Sequence, residues 1–339
     1  MAELDKNDVK LDLQTRLQAI MAKNEWKTYS YKTISGDLAI LVLALDKSLG
    51  VRMFDESFFR SECQSLSPAW SHSFLDRLWR GGVLTHNPNK SKPDAYYVKD
   101  DQVWFFTDKI SFLVLPDEYY GASEDLIAFL SGRAFDDATP LRALWLEYAT
   151  SDCFAYLRDQ CLAHNLWCLE QDSEQEAQDT LKNALHTYCV AELWSIIWKV
   201  VKDAAALSTR DYYNTKKAAD TIPGKLMRHL EMVAKGKASV KLWDRPSDQP
   251  AGTIGQVFYE LFGIDENTSG QRVFEIITPA PDPSANADPE LTADELRPST
   301  NVLLQRSLEK ELGPEMMLAF ASAVRQGLSV VEAIDQKAV

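Results

Sequence analysis

The run from Leu38 to Leu45 contains no polar side chain. A helix on a protein surface needs a polar face, so a helix built from this run must be covered on all sides. It is far too short to cross a bilayer, which takes about 20 apolar residues. The run therefore predicts a buried helix around which other elements are wrapped, stopped near Gly50. Helix and turn signals then set the order of the next elements. Val51-Arg52-Met53 suits a short strand, and Asp55 is placed to cap a second helix carrying Phe58, Phe59 and Cys63. Ser67-Pro68 suits the start of a third helix, with the proline where its missing N–H is harmless. That helix carries Trp70, Phe74 and Leu78 on its inner side and ends at Gly81-Gly82. Two β-prone runs come next, Val83–His86 and Ala95–Phe106, joined by a polar tip over residues 87–94.

Three short helices followed by a hairpin with a polar, basic tip resemble the winged-helix variant of the helix-turn-helix superfamily. The resemblance covers residues 37–116 and rests on order and patterning. It implies that the third helix enters the major groove of DNA and that the hairpin tip touches the backbone or minor groove. On this sequence the outward residues of that helix are His72, Ser73, Asp76, Arg77 and Arg80, and the tip supplies Lys90 and Lys92. The DNA-binding set it implies is His72, Ser73, Arg77, Arg80, Lys90 and Lys92.

The remainder reads as helical, giving a mainly α fold: a winged-helix domain, an all-helical domain and a helical C-terminal tail. Residues 1–36 hold an amphipathic helix with Leu13, Leu17, Ile20 and Met21, then a short extended piece with Trp26, Thr28, Tyr29 and Tyr31. In residues 117–277, Ser123 and Thr139-Pro140 open helices, the second with an interruption expected at Thr150-Ser151-Asp152. A Ser173/Glu176 capping box precedes a long run to about Ala206. Ile222-Pro223 opens a helix ending at Gly236, and Ile254 to Phe262 makes one closed by Gly263. Residues 278–298 are rich in Pro, Asp and Ala and predict a flexible acidic linker, with a helical tail over 299–339.

The formal charge is −14, yet a positive excess is concentrated in residues 196–245. There Lys216, Lys217, Lys225 and Arg228, with Lys199, Lys202, Arg210, Lys235, Lys237 and Lys241, are interleaved with Trp198, Tyr212, Tyr213 and Trp243. Lysines and aromatic rings together suit phosphate contact and base stacking. They equally suit a solvated face over an apolar core. For metals, Cys161, His164 and Cys168 would share a face of a continuous helix, and His186 with Cys189 would form a second pair. Isolated cysteines on apolar faces are otherwise core residues, and no metal site is assigned.

Asp265, Asn267, Ser269 and Gly270 imitate a calcium loop but lack its closing acidic residue at the twelfth position, so they are set aside. The phosphate-binding Gly-Lys-Ser/Thr loop, the His-Glu-x-x-His helix and the Gly-x-Ser-x-Gly elbow are missing from the sequence, and no cofactor is expected. An odd number of thinly spread cysteines and an acidic start without an apolar run predict reduced thiols and a cytoplasmic location, with no membrane partner. Two readings stand: a regulatory or accessory protein on double-stranded DNA whose helical part dimerises or binds a partner, or a subunit whose winged-helix unit docks a protein. An enzyme with a helical active site is a third reading that no motif supports.

Overall fold

The computed structural model describes residues 2–24 and 27–277; the linker and tail expected over 278–339, and Trp26, lie outside them. The fold is mainly helical. Among the described residues no helix is long and apolar enough to cross a membrane.

Helix α1 spans Ala2–Asn24, and its Leu13 and Leu17 rest on the core. A turn of 3-10 helix at Tyr31–Thr33 stands where an extended piece is predicted, with the fully buried Tyr31 donating through its hydroxyl to the Leu115 carbonyl at 2.9 Å. Helix α2, Gly36–Leu49, is the run that must be covered on all sides, and every residue from Ala39 to Leu45 is buried. It stops at Gly50, whose φ of 63° lies in the left-handed region that glycine adopts without strain.

The segment after Gly50 departs from expectation. Arg52–Asp55 forms a short helix, α3, so Asp55 ends a helix and does not cap one. Strand β1 is Phe58–Phe59, and the second helix is a 3-10 turn, Arg60–Leu66, begun by the Glu62 carboxylate accepting from the Phe59 amide at 2.7 Å. Helix α4 runs Ser71–Arg80 and starts later than Ser67-Pro68 because the Ser71 hydroxyl accepts from the Ser67 amide at 2.9 Å, closing a turn there.

Strand β2, Leu84–His86, does not pair with the next β-prone run. That run folds on itself as a hairpin, β3 (Tyr96–Lys99) and β4 (Gln102–Phe105), turning at Asp100 and Asp101 with φ of 51° and 59°. Two successive residues with positive φ make the tight turn whose twist matches an antiparallel pair, and Asp is among the residues that tolerate it. Strand β5, Ser111–Val114, lies between β1 and β2 and is antiparallel to both. Arg16 of α1 reaches the hairpin turn, donating to the Asp101 carbonyl at 2.7 Å and pairing with its carboxylate.

The rest is α5 (Glu124–Gly132), α6 (Ala138–Ala163), α7 (Gln171–Ala184), α8 (Val190–Ser208), α9 (Thr215–Ala219), α10 (Ile222–Ala234), α11 (Thr253–Phe262) and α12 (Gly270–Ile277). Helix α6 is not interrupted at Thr150-Ser151-Asp152. Thr150 donates to the Leu146 carbonyl one turn back, Ser151 meets the Ser67 hydroxyl, and Asp152 binds Arg245, so three buried polar side chains are satisfied. The long run expected to reach Ala206 is split into α7 and α8. Its capping box is not Ser173/Glu176 but Cys189/Glu192: the Cys189 sulfur accepts from the Glu192 amide at 3.4 Å, and the Glu192 carboxylate accepts from the Cys189 amide at 2.9 Å. The Asp265 carboxylate accepts from the Asn267 amide and the Thr268 hydroxyl, which makes that loop a turn into α12.

Helix α2 packs on α4, α5, α6, α11 and residues 60–66. One hydrophobic core runs from Tyr31 to Ile277, and the boundary read at 116/117 falls inside it.

Candidate nucleic-acid interface

Helix α4 buries Phe74, Leu75 and Leu78 and leaves His72, Ser73 and Arg80 exposed. Arg77 is not an outward residue. Its Nη2 lies 2.5 Å from Asp37 of α2 and its Nη1 3.2 Å from Glu147 of α6. Ser73 leans on the same Glu147 at 3.5 Å, and Trp70 stacks on Phe154 of α6 at 6.0 Å between centroids. Asp76 accepts from Arg60 at 2.7 Å. Helical spacing separates the inner from the outer side of α4, but it does not reveal that a helix from much later in the chain covers part of that outer side. Arg77 is thereby a tie between α2 and α6, while Arg80 stays in solvent.

Lys90 and Lys92 are exposed but do not sit on a hairpin tip. Residues 87–94 form turns, and Lys92 donates through its backbone to the Lys109 carbonyl at 2.8 Å and lays its ammonium 5.4 Å from the Phe59 ring. The true tip is Asp100-Asp101, which is acidic.

The hairpin carries a feature that the predicted set omits. Its inner side is an aromatic cluster: the Trp79 ring stands edge-on to His86, Phe105 and Phe112, and His86 Nδ1 is 2.9 Å from the Tyr96 hydroxyl. Burial, and after it the charge of Lys27, hold the His86 imidazole below its ordinary pKa, so it is neutral at pH 7. Side chains alternate across a strand, so the outer side shows Tyr97, Lys99, Gln102 and Trp104, with Phe106 beyond the end of β4. Tyr97, Trp104 and Phe106 are 36%, 46% and 50% exposed. Tyr97 and Phe106 rings are 5.0 Å apart, Lys99 lies 5.8 Å from the Trp104 ring, and Lys109 lies 5.1 Å from the Phe106 ring. The alternation of Tyr97 with Lys99, and of Gln102 with Trp104 and Phe106, was the available sequence signal.

The downstream basic stretch is spread over α8, α9, α10 and the loop after them. Lys216 is paired with Glu170, Lys217 and Arg228 are exposed, and Lys225 is half-buried. Trp198 and Trp243 rings lie 5.4 Å apart, with the Lys202 ammonium 4.7 Å from Trp198. Helix α4 packs mainly on α2, β2 and residues 60–66, whereas α9 packs on α8 and α10 on α7 and α8. These two sets of predicted contacts thus share none of their main packing partners.

The five candidate metal ligands do not converge. Helix α6 ends at Ala163, and Asn165 turns the chain with φ of 54°, so Cys161 and Cys168 are not on one helical face. Cys161 is buried and Cys168 exposed; His164 closes α6, His186 packs its ring 5.3 Å from Phe274, and Cys189 caps α8. Among the described residues no three His, Cys, Asp or Glu side chains are placed to hold a metal ion.

Compared with known protein families, with curated proteins and with solved structures, the chain matches none of them.

Proposed function

We propose that this chain is a DNA-associated regulatory or accessory protein built on a winged-helix unit, with the outer face of the β3–β4 hairpin as its contact surface and the helical part serving dimerisation or partner binding. The order of elements from α2 to β5, and a sheet in which the last strand inserts between the first two, support the winged-helix reading. The observation that carries the contact surface is the row of Tyr97, Trp104 and Phe106, exposed beside Lys99 and Lys109. Such rings offer flat faces to unpaired bases while the ammonium groups meet phosphates, each stacked base being worth about 1–3 kcal/mol by alanine substitution. The surface therefore favours single-stranded DNA, or the opened end of a duplex, over intact double helix.

Fluorescence anisotropy of labelled single-stranded and duplex oligonucleotides at low salt tests this. Single strand is expected to bind more tightly, and Trp104→Ala to weaken it by about 5- to 150-fold, the range that stacking energy converts to. Arg77→Ala is expected to lower stability and leave affinity unchanged, since its guanidinium is held by Asp37 and Glu147. Binding lost with Arg77→Ala in a folded protein, and kept with Trp104→Ala, would return the contact to α4.

A second reading is favoured by charge. Between residues 90 and 109 four lysines are matched by Asp94, Asp100, Asp101 and Asp108, which weakens attraction to phosphate. With no binding to either oligonucleotide at low salt, the same aromatic face becomes a docking surface for a protein.

A further inference from the structure

Two residues of the proposed contact surface, Phe106 and Lys109, are the first and last residues of the turn that follows β4. The Lys109 and Ile110 amides both donate to the Phe106 carbonyl, at 2.9 and 3.2 Å. The ends of this turn are held by backbone, since the Phe106 amide donates to the Ala95 carbonyl at 2.9 Å and the Lys92 amide to the Lys109 carbonyl at 2.8 Å. Its middle residues, Thr107 and Asp108, are exposed. An exposed turn moves unless something ties down its middle.

Arg60 supplies that tie. Its Nη1 donates to the Thr107 hydroxyl at 3.2 Å and lies 3.7 Å from the Asp108 carboxylate. Its Nη2 reaches α4, donating to the Asp76 carboxylate at 2.7 Å and to the His72 carbonyl at 3.3 Å. One side chain, 14% exposed, thus joins the 3-10 turn Arg60–Leu66, the first half of α4 and the turn after β4. A planar fork of donors can serve two elements at once, whereas an ammonium is a point charge on a flexible stem. Among the described residues no other side chain bonds to Thr107 or Asp108.

We propose that Arg60 is a positioning residue of the contact surface: by holding Thr107 and Asp108 to α4 it fixes Phe106 and Lys109 in line with Tyr97 and Trp104. The proposal rests on the reading of the hairpin's outer face as a surface for single-stranded DNA. Ring and ammonium then meet a base and its phosphate without first having to be ordered, which is where preorganisation adds affinity. Arg60 itself does not touch the strand, because its charge faces Asp76 and Asp108.

Fluorescence anisotropy with a single-stranded oligonucleotide over a range of salt concentrations tests this, with hydrogen exchange of the Lys109 and Ile110 amides as a second readout. Arg60→Gln is expected to weaken binding about fivefold or more, and by less than about twofold when Phe106→Ala is already present, because both act through one ring. The slope of log Kd against log salt should stay as in the native chain, whereas a phosphate contact by Arg60 would remove about 0.7 of it. Arg60→Lys keeps the charge but loses the fork, and should bind as weakly as Arg60→Gln. In both variants the two amides should exchange at least about tenfold faster, with circular dichroism verifying the fold. Thr107→Val, at an exposed residue, removes one arm of the tie and stands in where the Arg60 variants do not fold, with changes in the same direction. Native affinity in folded Arg60→Gln, affinity restored by Arg60→Lys, a slope lower by about 0.7 or unchanged exchange would overturn the proposal. Should the native chain bind no oligonucleotide, the DNA reading falls and exchange alone decides: unchanged rates overturn the role of Arg60, and faster rates support it for a protein docked on the same face.

Discussion

Replacing Arg245 by Met leaves the Asp152 carboxylate in the interior with its main partner gone. In the native protein Asp152 is 1% and Arg245 17% exposed, and two guanidinium nitrogens face the carboxylate. Breaking such a buried pair from one side costs about 3–5 kcal/mol, a large part of the roughly 5–15 kcal/mol that holds a protein folded. With an unfolding entropy of about 2.1 cal/mol/K per residue, that corresponds in a chain of 339 residues to a melting temperature lower by roughly 4–7 °C.

The deficit carries a pH signature. Burial raises the Asp152 pKa above its ordinary value, with Arg245 and Gln249 opposing it. Between the unfolded and the raised folded pKa the folded chain holds more protons, so stability falls as pH rises through that window. Without Arg245 the opposing influence is lost and the window widens upward, so the Met variant should recover stability on acidification relative to the native chain. Urea denaturation at pH 5 and pH 7 measures both. The double variant Asp152→Asn/Arg245→Met removes the stranded charge and should regain part of the loss at pH 7, the difference being the coupling of the pair. A single-variant loss below about 1 kcal/mol, a deficit indifferent to pH, or a double variant no more stable than Arg245→Met would refute the claim that the ion pair holds the Arg245 loop to α6.

Two further outcomes rest on geometry. Glycine to alanine should act with opposite sign at two helical positions: at Gly255 the new Cβ would meet the Tyr148 side chain at 2.2 Å and cost about 1–3 kcal/mol as overpacking, whereas at Gly224 nothing lies within 4 Å and the change should stabilise by about 0.4–1 kcal/mol; thermal denaturation reads both, and equal signs would be inconsistent with the packing. Thiol titration of the native protein with an aromatic disulfide should detect Cys168 rapidly and the other four only after unfolding, because Cys63, Cys153, Cys161 and Cys189 are buried. Burial pushes the Cys63, Cys161 and Cys189 pKa values up to about 12, so raising the pH from 7 to about 9 should not bring them into reaction while the fold holds; rapid release of more than one thiol would contradict it.

Much of the element order was legible because it is written locally. The Leu38–Leu45 run declares a helix that must be covered, and Gly50, Gly236 and Gly263 stand at positions of positive φ where helices close. Errors arose where a familiar residue signal was overruled by a neighbour. Asp55 has cap chemistry but ends α3, Ser173/Glu176 has the right spacing but lies inside α7, and the working capping box uses Cys189, a residue seldom read as a cap. The polar triplet Thr150-Ser151-Asp152 resembled a break because its partners, Ser67 and Arg245, are remote in sequence.

The candidate contact surface divides in the same way. By itself the sequence determined the amphipathic side of α4, the β-prone character of residues 95–106 and the presence of lysines among aromatics, since these depend on backbone periodicity and composition over a few residues. Only the tertiary structure decided that α6 lies against α4 and takes Arg77, that β2 pairs with β5 while the run between them turns on Asp100-Asp101, and that Tyr97, Trp104 and Phe106 face solvent. Periodicity distinguishes one side of an element from the other, but what covers each side is set by segments that meet only after the chain has folded.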